Sequence, residues 1–151
     1  MFAEWPASIP MPKIPINKTP MPKTAPAWWP HAAREICALA DIPLNAARGF
    51  TLFGDNENDK LELIVWRRGA AAEGTDALAG FINQCPHMGL PLETFPDRFL
   101  SADGTALICS AHGARFRFDG ACFTGPCKGQ NLQAVTLKLR DGHIFLAAGP
   151  P

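Results

Sequence analysis

The chain has 151 residues, of which 47% are hydrophobic, with 14 basic and 14 acidic side chains. Balanced charge supplies no electrostatic reason to bind nucleic acid or an anionic membrane, and the length suits one domain with a modest core. No window approaches the roughly 20 apolar residues of a membrane span, and the first residues lack the pattern of a secretory signal, so a cytoplasmic protein is expected. Five cysteines, an odd number, then point to reduced thiols or metal ligands rather than to a disulfide framework.

Pro6, Pro10, Pro12, Pro15, Pro20, Pro22, Pro26 and Pro30 make up more than half of the 15 prolines. No helix or sheet tolerates that density. Pro10-Met11-Pro12-Lys13 returns as Pro20-Met21-Pro22-Lys23, which predicts extended polyproline segments. Residues 1–33 are therefore a Pro-rich arm, either a loose tail or a docking segment anchored by Trp28 and Trp29.

From Arg34 onward short apolar runs alternate with turn residues, the pattern of an all-β domain over 34–148 with a short tail at 149–151. Strands are expected at Glu35–Leu39, Phe50–Phe53, Leu61–Trp66, Ala79–Asn83, Ala106–Cys109, Arg115–Phe118, Val135–Arg140 and His143–Ala147. Asp103-Gly104, Asp119-Gly120 and Asp141-Gly142 fall between such runs, where tight hairpins take positive φ. Val135, Leu137 and Leu139 alternate with Thr136, Lys138 and Arg140, predicting one buried and one solvated face. Ala70–Leu78 is alanine-rich but interrupted by Gly74, and reads as a polar surface loop.

Two segments concentrate soft and borderline metal ligands: Cys85-Pro86-His87-Met88-Gly89 and Cys109-Ser110-Ala111-His112-Gly113. Each offers one thiolate and one imidazole on a tight loop. The 21 residues from 88 to 108 let the chain run out and return through Asp103-Gly104, setting the second loop beside the first. Gly89 and Gly113 stand where the loops must turn sharply and bring backbone N–H groups close to sulfur. The same four side chains could hold zinc. Zinc fingers, however, group a Cys pair before a His pair on a helix, whereas each loop here mixes the two ligand types.

C-x-H followed at this distance by C-x-x-H resembles the Rieske iron-sulfur motif, and the resemblance extends over roughly residues 34–148. It implies stacked antiparallel sheets and one [2Fe-2S] cluster per chain. Cys85 and Cys109 would hold the inner iron, and His87 and His112 the outer one. The proline-bearing loop that covers the cluster in this family would be Thr124-Gly125-Pro126-Cys127-Lys128-Gly129. High-potential relatives carry a disulfide between the cluster loops and Ser and Tyr hydroxyls near the sulfurs; here Leu90, Ala111, Ala114 and Phe116 occupy those positions, and the chain has no Tyr. A low-potential, ferredoxin-like centre is the implication.

One-electron transfer between redox proteins follows, from an upstream reductase to an oxygenase or similar acceptor. The alternative is a dedicated electron-transfer subunit of a larger complex, of the nitrite-reductase small-subunit type. An oxygenase would need a second iron held by two His and one carboxylate, yet only His31 and His143 remain, so no catalytic residue is assigned. A docking face is expected around His87, Met88 and His112. Arg115, Arg117 and Lys128 either steer an acidic partner or form an ordinary solvated face. Cys37 is expected in the core. For Cys122 and Cys127, plain packing, tuning of the cluster and a disulfide all stay open.

Overall fold

Five of the six residues from Leu61 to Trp66 are apolar, which suits a strand covered on both faces. The computed structural model of the protein describes residues 29–56, 58–69 and 78–148, and there this run lies in the middle layer of three sheets. The first sheet orders β1 (Arg34–Ala38), β10 (His143–Leu146) and β9 (Leu137–Arg140). The middle one orders β2 (Ala46–Phe53), β3 (Lys60–Arg67), β4 (Leu78–Ile82) and β8 (Ala134–Val135). The third orders β5 (Leu107–Ile108), β6 (Arg115–Phe116) and β7 (Cys122–Thr124). All pairings are antiparallel, as the all-β reading requires.

Strand alternation divides β3 between two cores. Leu61, Leu63 and Val65 pack with Cys37, Leu137, Ile144 and Leu146 toward the first sheet. Ile64 and Trp66 pack with Phe81, Phe99, Leu107 and Phe116 toward the third. The second core also contains Cys85, Cys109, Cys122 and Cys127, so the cysteine-bearing loops are built onto a packed layer. Trp66 adds an edge-to-face contact with Phe118 at 5.1 Å between ring centroids, a favoured aromatic geometry.

Several elements depart from the sequence expectation. The run Val135–Arg140 is not one strand: Val135 pairs with Gly80 in the middle sheet, while Leu137–Arg140 pairs with β10. Val135 and Leu137 still share one core because the chain crosses between the two sheets that enclose it. β2 begins at Ala46 rather than Phe50, held by an unbroken register from Ala46 opposite Arg67 to Phe53 opposite Lys60. Pairing with a strong neighbour extends a strand through Ala47 and Gly49, whose own propensities oppose it. Asp103-Gly104, Asp119-Gly120 and Asp141-Gly142 do turn between antiparallel partners.

Trp29 is buried in the first core, so the base of the N-terminal segment is anchored there. Trp28 and the preceding prolines lie outside the described residues, as do residues 70–77 of the expected loop. Among the described residues, no helix is long and apolar enough to cross a membrane.

Candidate metal centre

The two ligand-bearing loops fold alike despite their different spacing. The Cys85 N–H donates to the Leu90 carbonyl (2.8 Å) and the Gly89 N–H to the Cys85 carbonyl (2.7 Å). In the second loop the Cys109 N–H donates to Ala114 (2.8 Å) and the Gly113 N–H to Cys109 (2.8 Å). Each loop is thus a six-residue knuckle closed at its fifth residue by glycine in the left-handed region, with φ of 72° at Gly89 and 71° at Gly113. Few other residues enter that region without strain. The knuckle rather than the Cys-to-His interval is the conserved geometry within this molecule, and it leaves each imidazole near the loop tip.

Burial separates the ligand types. Cys85 and Cys109 are each 1% exposed, whereas His87 and His112 are exposed. The imidazoles stand together at the tips, 4.8 Å between ring centroids and nearly perpendicular. The two thiols are neighbours as well: burial, then Cys85, pushes the Cys109 thiol above its ordinary value, while N–H groups of Ala111 and His112 directed at its sulfur pull the other way. Those N–H donors favour a thiolate. The donor set fits a two-iron cluster, with a buried soft pair inside and an exposed imidazole pair outside. Among the described residues no three His, Cys, Asp or Glu side chains converge on a single ion position, and a two-iron centre asks for only two protein ligands at each iron.

Asn83, one residue before Gln84 and the first knuckle, is a site residue that sequence reasoning passed over as the end of a strand. It is 3% exposed; its Oδ1 accepts the Leu92 N–H at 2.9 Å and its Nδ2 donates to Glu93 at 2.7 Å. The Leu92 carbonyl in turn accepts the N–H of Ser110 in the second knuckle at 2.7 Å. One side chain therefore clamps the ends of the first loop and indirectly ties it to the second. Asn83→Ala leaves the Leu92 N–H buried without a partner, an expected loss of about 1–3 kcal/mol. Urea unfolding measures it, and a loss within experimental error would refute the clamp.

The loop expected to cover the site packs against the second knuckle. Thr124–Gly129 leaves β7 and returns to it, with the Cys122 N–H donating to Gln130 (2.9 Å) and the Gly129 N–H to Cys122 (3.3 Å). Gly125 has a φ of +101°, and a Cβ there would meet the Ala114 Cα at 2.7 Å. Loop and second knuckle thus touch backbone to backbone. Gly125→Ala is expected to destabilise the protein by roughly 1–3 kcal/mol through strain and overlap; thermal unfolding with an unchanged midpoint would show that the loop stands off. Cys127 turns inward at 1% exposure and lies against Cys122; burial, then Cys122 and Cys85, push its thiol upward.

The remaining candidates fall elsewhere. Arg115, Arg117 and Lys128 are exposed, and Arg117 lies over the Phe123 ring at 5.2 Å. His31 is exposed, and His143, opening β10, pairs with Glu35 on β1. Cys37 is a core residue whose thiol burial raises to about 11.

The sequence profile described as Rieske [2Fe-2S] domain matches residues 32–140. No curated protein matches the chain. Among solved structures, the ferredoxin of carbazole 1,9a-dioxygenase from Nocardioides aromaticivorans IC177 is 20% identical, with a TM-score of 0.55 over 78% of this chain and 99% of that one. A chain in the complex of reduced oxygenase and oxidized ferredoxin in carbazole 1,9a-dioxygenase is 21% identical, with a TM-score of 0.56 over 78% and 94%. The terminal oxygenase of carbazole 1,9a-dioxygenase from Nocardioides aromaticivorans IC177 is 15% identical, with a TM-score of 0.59 over 80% of this chain but only 31% of its own. At these identities the likeness is one of fold.

Proposed function

The chain belongs to the Rieske [2Fe-2S] domain family, and we propose that it is a small cytoplasmic one-electron carrier whose cluster is held by Cys85, Cys109, His87 and His112. The bound cluster supplies reversible one-electron chemistry. The domain doing so would span 34–148, after the Pro-rich arm. The observation that carries this reading is the division of the four side chains: two thiols at 1% exposure in a packed core and two imidazoles together at the surface.

Leu92, Phe99, Leu107 and Phe116, all fully buried, exclude water from the side on which the thiols sit. A low-dielectric wall disfavours uncompensated charge, so the knuckle N–H groups directed at Cys109 matter for holding a thiolate there. The exposed imidazoles form the side through which an electron passes to a partner. Beside them Met88 and Leu90, 63% and 45% exposed, give that face an apolar rim of the kind that docks a protein transiently. A redox protein partner fits this face, with an upstream reductase and a downstream oxygenase as the pair to test.

The experiment is reduction and reoxidation of the holoprotein followed in its visible spectrum. A reductase from the native cells should bleach it, and an oxygenase component should restore it without substrate turnover by the carrier alone. A protein that turns over an aromatic substrate with reductase but no oxygenase would overturn the carrier reading. Isolation from native cells only as part of a stable larger complex would favour the dedicated-subunit alternative.

A further inference from the structure

Cys122 and Cys127 are both buried, at 6% and 1% exposure, and the described geometry puts their sulfurs 3.2 Å apart. The Cys122 S–H donates to the Thr124 carbonyl at 3.3 Å, and the Cys127 S–H is directed at the Cys122 sulfur. The backbone around them is already drawn together by the Cys122 to Gln130 and Gly129 to Cys122 hydrogen bonds. A disulfide bond is about 2.0 Å long, so closing the 3.2 Å gap takes about 1.2 Å of sulfur movement with no need to bring two chain segments together. Neither cysteine belongs to the proposed ligand set. The pair also sits at the site, because Cys127 and Cys85 are neighbours in the second core.

We propose that Cys122 and Cys127 are an oxidisable dithiol that peroxide converts to a disulfide, pinning the covering loop and changing the surroundings of Cys85. Peroxide is small and uncharged, and the loop above the pair is thin, with Thr124, Gly125, Pro126 and Lys128 all exposed. The Cys122 sulfur, the more exposed of the two, attacks one peroxide oxygen. The O–O bond breaks, an S–O bond forms, and one water leaves carrying the thiol proton. The Cys127 sulfur then attacks the Cys122 sulfur, the S–O bond breaks, and a second water takes up the remaining proton. Two thiols have lost two electrons in total, and one peroxide has gained them. Oxidation removes the Cys127 S–H, which points at Cys122 in the reduced pair, from the neighbourhood of Cys85. Losing a polar S–H dipole beside a ligand sulfur stabilises a reduced cluster less, so oxidation should move the midpoint potential in the negative direction. That consequence rests on Cys85 being a cluster ligand; the disulfide itself does not.

The test is to expose anaerobic holoprotein to stoichiometric peroxide, denature it in N-ethylmaleimide, digest it with trypsin and weigh the peptides. Cleavage after Arg117 and Lys128 yields residues 118–128, which contain both thiols and no other cysteine. The expected product is that peptide two hydrogens lighter and without label, while the peptides bearing Cys37 and Cys109 keep theirs. Full double labelling of 118–128, or a cross-link from Cys127 to Cys85, would overturn the proposal. Cys122→Ser and Cys127→Ser should each abolish the two-hydrogen loss, with retention of the visible spectrum reporting that the variant has folded. Voltammetry of the oxidised protein should show the negative shift, and Cys127→Ala should show it without peroxide. An unchanged potential in protein whose 118–128 peptide is closed would sink the regulatory consequence alone, and loss of all cluster signal from Cys85→Ala is the separate test of the ligand reading.

Discussion

Cys109→Ala is expected to yield a folded, colourless protein with no electron paramagnetic resonance signal after reduction, and His87→Ala to lose the same signal. Cys109 is enclosed by the second core at 1% exposure, and Ala supplies no donor atom, leaving one iron with a single protein thiolate. Cys127 is a spare thiol in the same core, but it is seated on the covering loop against Cys122 rather than on the second knuckle. Truncating a buried Cys removes little apolar volume, so the fold should persist; losses from such small deletions are about 1 kcal/mol. Circular dichroism separates loss of cluster from loss of fold. Cys37→Ala is the control, since Cys37 belongs to the first core and its removal should leave the signal intact. A signal of unchanged shape and intensity in Cys109→Ala would refute the ligand set.

The second large effect is on potential. Rieske centres as a class span about −150 to +300 mV, and this one is expected near the lower limit. Two thiolates and two neutral imidazoles make an oxidised cluster formally neutral and a reduced one singly negative, so hydrogen-bond donors near the sulfurs stabilise the reduced form. At the two positions where high-potential relatives place hydroxyls stand Ala114 and Phe116, both fully buried and neither with a polar side-chain atom. At the two disulfide positions Leu90 and Ala111 are exposed. Ala114→Ser should therefore raise the potential, and Phe116→Tyr should raise it further if the new hydroxyl finds a sulfur. Voltammetry near the upper limit in the unaltered protein would contradict this account, as would a fall on adding the Ser hydroxyl.

The candidate ligand residues and the sheet-rich fold were legible because each is encoded locally. A thiolate and an imidazole within three residues, followed by a glycine that can take positive φ, describe a knuckle whatever surrounds it. Alternating apolar residues likewise describe strands before their partners are known. What stayed hidden depends on pairs far apart in the chain. β2 extends back to Ala46 only because β3 offers a register, and its Gly49 N–H finds the Asp97 carboxylate 48 residues away. Asn83 looks like the end of a strand until Leu92 and Glu93 are seen to be its partners.

From the sequence by itself come the four candidate ligands, their family and the missing hydroxyls, since all three depend on residue identity and spacing. Only the tertiary structure divides those ligands into a buried thiol pair and an exposed imidazole pair, and only it sets Cys127 against both Cys122 and Cys85. Burial and sulfur-to-sulfur distance are properties of how three sheets stack, and stacking brings together side chains that no local pattern relates.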